Sequence, residues 1–115
     1  MARPRWRDYR TLSGRRPVRD FLMAVPSADR AAVVAAMGDV AAHGLAAARH
    51  LRGDVWEVRA DGDRIAYRVL FSAEGARSFV FLALHAFAKR TRRTPPDAIE
   101  LAERRLADWR ARGSG

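Results

Sequence analysis

The stretch that most restricts the fold is DVWEVRADGDRIAYRVLFS, residues 54–72. Two alternating segments flank Asp61–Gly62–Asp63, and Asp-Gly between such segments is a strong β-hairpin mark. A two-residue loop here pairs even-numbered residues with odd-numbered ones. Trp56, Val58, Ile65, Tyr67, Val69 and Phe71 therefore share one face, which is apolar and belongs against other elements. Val55, Glu57, Arg59, Arg64, Ala66, Arg68 and Leu70 share the other face, with one carboxylate and three guanidiniums.

Glu74–Gly75 marks a second turn, and SFVFLALHAFA (78–88) reads as a third strand. It is almost wholly apolar, which suits an interior strand. With Val80, Leu82 and Leu84 toward the helices, Phe79, Phe81, His85, Phe87 and Lys89 turn the other way. Upstream, RWRDYRTL (5–12) reads as a short first strand, with Trp6 and Tyr9 covering one edge of the core. Pro17 opens a helix, as proline does at a first helical position. Its apolar face is Val18, Phe21, Leu22 and Val25. Ser27 suits the N-cap of a second helix with Asp29 in its first turn, and Val33, Met37, Val40 and Ala41 form its stripe. Gly44 closes it. Residues 45–53 read as a loop. At the far end Thr94 and Asp97 match a capping box before a last helix with Ile99, Ala102, Leu106 and Trp109 as its stripe. Glu100 and Arg104 pair along that helix.

The pattern predicts one α+β domain over residues 1–115, core about 5–110. It has a small antiparallel sheet, two N-terminal helices on one face and a C-terminal helix. Hydrophobic residues make up 49% of the chain, enough for one core.

Charge points to a partner. The formal net charge is +9, and of the 22 basic residues all but Lys89 are arginine. Such an excess favours a polyanion, most simply RNA or DNA, through counterion release. Part of the arginine preference is what GC-rich coding produces, so arginine number alone marks no site. The chain has no cysteine, which excludes disulfides, thiolate metal sites and cysteine nucleophiles. His43, His50 and His85 lack metal-ligand spacing. No metal or cofactor is expected. No apolar run is long enough for a membrane span, and MARPRWRDYR lacks a secretory signal's apolar core. The expected location is the cytoplasm.

On the polar hairpin face, Glu57, Arg59, Arg64, Arg68, His85 and Lys89 form a set suited to cutting RNA without a metal. That reaction needs a base for the 2′-OH, cations for the phosphorane and an acid for the 5′-oxygen. Arginine donates bidentately to phosphate, and histidine titrates near neutrality. Phe87 offers a ring for a splayed base. Lys89, Arg90, Arg92 and Arg93 make a basic run, and lysine differs from arginine in having a pKa that neighbours can move. A plainer reading stands beside this one. Glu57 is then a cross-strand ion-pair partner, Arg64 a solvated charge, His85 and Phe87 packing residues, and the basic run a solvated loop.

LRGDVWEVR, YRVLF and LHAFAKRTRRTPPDAIELAERR, with GRRPVRDFLMAVP upstream, resemble the phage-derived Gp49-like branch of the RelE/HigB toxins. The resemblance covers roughly residues 14–109. It implies the toxin of a type II toxin–antitoxin pair, acting as a ribosome-dependent mRNA endoribonuclease by metal-independent 2′-OH attack. It implies mRNA on the ribosome as target and a helix-turn-helix antitoxin of the HigA type as protein partner. DNA would be met only through that antitoxin. The resemblance assigns catalysis to Glu57, Arg68, His85 and Lys89. Arg59, Arg64, Phe87, Arg90, Arg92 and Arg93 are then RNA-binding candidates. The chain departs from the branch at Ala86, where glycine is common, and at Arg90, where a second lysine is common. Two other functions stay open at this point: a DNA gyrase poison of the related ParE type, and a non-catalytic RNA- or ribosome-binding module.

Overall fold

The computed structural model describes residues 3–89 and 92–113. The elements run β1 (Arg5–Asp8), α1 (Pro17–Ala24), α2 (Ser27–His43), β2 (Arg49–Arg52), β3 (Val55–Asp61), β4 (Ala66–Glu74), β5 (Val80–Lys89) and α3 (Pro96–Ala111). The strands form one sheet in the order β1-β5-β4-β3-β2. The α+β expectation holds, with three helices in the expected places.

The hairpin forms as its alternation dictates, except that Ile65, expected on the apolar face, lies in the turn before β4 and is 37% exposed. Trp56 faces Phe71, Val58 faces Val69 and Arg59 faces Arg68 across β3 and β4. Gly62 N–H closes the turn on the Ile65 carbonyl at 2.9 Å. The glycine is needed for space. A Cβ at position 62 would lie 2.6 Å from the Asp29 side chain and 2.7 Å from the Tyr67 ring. Asp29 accepts from the Asp63 N–H at 2.9 Å and from the Tyr67 hydroxyl at 2.6 Å. The α2 N-terminus is thereby stapled to the hairpin tip.

Helices cover both faces. Val18 of α1 and Val33, Met37 and Val40 of α2 pack on Val58, Tyr67, Val69, Phe71, Phe81 and Ala83. Each fully buried Val- or Phe-sized side chain contributes about 1.5–3 kcal/mol. On the other face Ala98, Ala102, Leu106 and Trp109 of α3 cover Val55, Leu70, Leu82 and Leu84, with Tyr9 beside them. Arg110 fastens α3 by donating to both Glu74 oxygens, at 2.9 and 2.8 Å, and to Asp54 at 3.0 Å.

Five expectations are corrected. First, residues 49–52 are a strand: β2 pairs antiparallel with β3, Arg49 opposite Glu57. Its sequence, RHLR, has little β character and forms an exposed edge, which is why alternation did not show it. Second, the first strand stops at Asp8 and pairs parallel with β5, so the sheet is mixed. Trp6 and Tyr9 pack in different cores, on opposite faces. Third, Phe81 and Ala83 face α1 and α2, whereas Leu82 and Leu84 face α3. Phe71 pairs with Ala83 but Leu70 pairs with His85, so Leu84 is an extra residue in β5. Such a bulge shifts the alternation by one. It leaves His85, Phe87 and Lys89 on the α3 face as expected, while inverting the residues before it. Arg105 of α3 donates to the Leu84 carbonyl at 2.7 Å, satisfying the bulged residue. Fourth, Ser27 is the first residue of α2, with Pro26 at the cap and no side-chain cap bond. Fifth, Pro95 stands at the α3 cap and its first turn has no side-chain cap bond. Thr94 is used elsewhere.

Candidate functional site

Three rows of side chains cross the α3 face of the sheet. The first runs Arg49, Glu57, Leu70, His85; the second Arg59, Arg68, Phe87; the third Asp61, Ala66, Lys89. Glu57 is 1% exposed and Arg68 4%, so both charges are held by partners rather than by water. Arg59 Nε donates to Glu57 Oε1 at 2.7 Å. The other carboxylate oxygen accepts from the Thr94 hydroxyl and lies 3.8 Å from Arg68 Nη1. That same nitrogen donates to Thr94 Oγ1 at 3.0 Å. A guanidinium can only donate, so the hydroxyl accepts from Arg68 and directs its own proton to Glu57. Thr94 thus bridges cation and carboxylate.

Arg59 and Arg68 converge a second time. Both donate to the carbonyl of Arg92, Arg59 from Nη2 at 2.9 Å and Arg68 from Nη2. Two guanidiniums directed at one oxygen are the arrangement that binds a phosphate oxygen. Burial pushes the Arg68 pKa down, Arg59 and Arg49 add to the effect, and Glu57 opposes it. A cation in such surroundings gains from an arriving anion.

The remaining expected residues fall into three groups. Lys89 shares a cleft of about 210 Å³ with Arg59, Arg68 and Arg92, so the lone lysine does lie beside the paired arginines. His85 does not. Leu70, fully buried, stands between it and Glu57, which puts their backbones two strand spacings apart, about 10 Å. His85 stacks on Phe87 at 5.0 Å and 25°. Its pKa is lowered to about 4 by burial, with the nearby Arg105 adding to this. The ring is neutral at pH 7. Arg64 sits on the hairpin turn, 3.9 Å from Asp63 with its side chain 91% exposed. Arg92 and Arg93 are exposed and line a groove with Arg59. Arg90 lies outside the described residues.

Two contributors were missed. Thr94 matches a capping position, but two prolines follow it. The helix begins at the second, and residues before proline are driven extended, which frees the hydroxyl for Glu57. Arg49 lies on the unforeseen β2, and nothing in RHLR marks it. Among the described residues no cluster of His, Asp and Glu side chains could hold a metal ion, and no helix is long and apolar enough to cross a membrane.

One buried arginine, Arg68, and one exposed arginine, Arg59, flank the buried Glu57 carboxylate and open on an arginine-lined surface of a small basic α+β protein. The family model described as phage-derived protein Gp49-like (DUF891) matches residues 20–107, and the chain belongs to this family of RelE/HigB-type toxins. No curated protein matches the chain. The matched span runs from within α1 to within α3 and so takes in β2 to β5, the strands that carry the site.

Proposed function

We propose that the chain, as one domain with its core over residues 5–110, is the toxin of a type II toxin–antitoxin pair. It cuts mRNA on the ribosome, in the cytoplasm, and is held in check by a helix-turn-helix antitoxin. The observation that carries this reading is the convergence of Arg59 and Arg68, braced by Glu57 and Thr94, on one acceptor oxygen. In this reading a scissile phosphate takes the place of the Arg92 carbonyl. The 2′-oxygen bonds to phosphorus, the bond to the 5′-oxygen breaks, and the products are a 2′,3′-cyclic phosphate and a 5′-hydroxyl. Arg68 and Arg59 hold the non-bridging oxygens as charge builds. Glu57 takes the 2′-OH proton once substrate displaces Thr94. The leaving oxygen is protonated from Lys89 or His85. His85 is neutral when free, and a neighbouring phosphate raises its affinity for a proton. Phe87, opposite Arg68, offers a stacking face.

A second reading, a non-catalytic RNA-binding module, is favoured by one observation: both oxygens of Glu57 already accept hydrogen bonds. The test is cleavage of mRNA on programmed ribosomes, with naked mRNA alongside. The expected result is ribosome-dependent cutting, lost by about 10²-fold or more in Arg68→Ala and reduced about 10-fold or more in Lys89→Ala, with both variants still folded at the assay temperature although Arg68→Ala melts lower, because Glu57 loses a buried neighbour. Binding without cutting in the unaltered protein selects the module. DNA cleavage complexes with gyrase and no mRNA cuts would overturn both readings.

A further inference from the structure

Between the β2–β3 edge and residues 92–94 lies a groove of about 720 Å³. Arg49, Arg59, Arg92 and Arg93 line it, Leu51 and Ile99 give it an apolar lining, and Thr94 stands where it meets Glu57. Among the described residues no carboxylate lines it. Arg59 is committed to Glu57 and to the Arg92 carbonyl. Arg49 is different: it is exposed, and among the described residues no Asp or Glu lies within ion-pair distance of it. Its strand neighbour Arg52, by contrast, is paired with Glu103 at 2.5 Å. Arg49 lies opposite Glu57 in register and close enough to Arg68 for the two charges to repel. Cations gathered in excess of the one carboxylate beside them raise the energy of the folded protein, and an anion bound among them relieves it.

We infer that this groove binds a second phosphate of a single-stranded RNA, adjacent to the one held by Arg59 and Arg68, with Arg49 as its main contact. The inference rests on the phosphate reading of the paired arginines and extends it along the strand. Three features favour a strand over a lone phosphate ion. The groove is far larger than one phosphate. It connects to the paired arginines through Arg59 and Arg92, which line both concavities. Its apolar wall offers a surface for a sugar or a base between the two charges.

The experiment measures binding of a labelled short oligouridylate by anisotropy across a salt series, for the unaltered protein, Arg49→Gln and Arg19→Gln. Arg19 is exposed on α1, across the sheet from the groove, and its substitution removes the same charge. Each phosphate contact to a single strand contributes about −0.7 to the slope of log K against log salt. Arg49→Gln should therefore flatten the slope by about 0.7 and weaken binding about fivefold at about 0.1 M salt. Arg19→Gln should leave the slope in place. Equal slopes in the two variants would overturn the inference, as would no binding by the unaltered protein. The readout needs no catalysis. If ribosome-dependent cutting fails while the slope difference holds, the endoribonuclease reading falls and the groove stands.

Discussion

Gly62 and His85 show how much one residue's surroundings decide. At Gly62 the backbone passes so close to Asp29 and Tyr67 that no side chain fits. Gly62→Ala should destabilise the protein by about 1–3 kcal/mol, the usual cost of forcing atoms into a packed site, read as a lower urea midpoint. The hairpin was legible in Asp61–Gly62, but the spatial reason for the glycine was not, since Asp29 approaches it from the first turn of α2, far back in the chain. His85 carries a pH prediction. Its pKa falls from 6.5 to about 4 on folding, so between those values the unfolded chain binds more protons. Stability from this group therefore rises with pH across that window. It is fully present above about 6.5 and is lost as pH falls toward 4. His85→Gln should flatten the melting-temperature profile between pH 4 and 6.5. An unchanged slope would mean that the ring is already solvated.

At the scale of elements, what sequence made legible was what depends on neighbours in the chain. β3, β4, α1 and the apolar stripes of α2 and α3 follow from period and proline placement. The elements that were misread depend on distant partners. β2 exists because β3 offers it a ladder, and β1 runs parallel because β5 does. The β5 bulge is satisfied from α3, where Arg105 reaches the Leu84 carbonyl, and no local pattern in the strand announces that contact. Thr94 likewise left the α3 cap for a carboxylate on β3. The α3 attachment is testable in the same terms. Arg110→Ala removes both bonds to Glu74 and the contact with Asp54, leaving a largely buried carboxylate without its cation. A loss of about 1–2 kcal/mol is expected, held to that range because the arginine itself is half exposed. It should appear as earlier loss of α3 amide protection in hydrogen exchange, ahead of the sheet.

Across the whole molecule, helices cover both faces of the sheet, and basic side chains of β2, β3, β4 and the segment before α3 meet beside Glu57. The excess charge seen in the sequence is therefore unevenly placed: Arg49, Arg59, Arg68, Lys89, Arg92 and Arg93 gather around one buried carboxylate. A polyanion that binds only the folded chain stabilises it by about 2.7 kcal/mol at about 100 times its Kd. Oligouridylate should raise the melting temperature at low salt, and the increment should vanish toward about 1 M salt.

The carbonyl of Arg92 gives this arrangement an unusual resting condition. Arg59 and Arg68 are both oriented on that oxygen, so their ordering, and the desolvation of Arg68, belong to folding. An anion that reaches Arg68 arrives by exchange, one acceptor for another, and the net change in hydrogen bonds is small. On the proposed function, such a site selects by rate as much as by affinity. It answers to ligands able to displace a backbone carbonyl, and stays self-satisfied toward those that cannot.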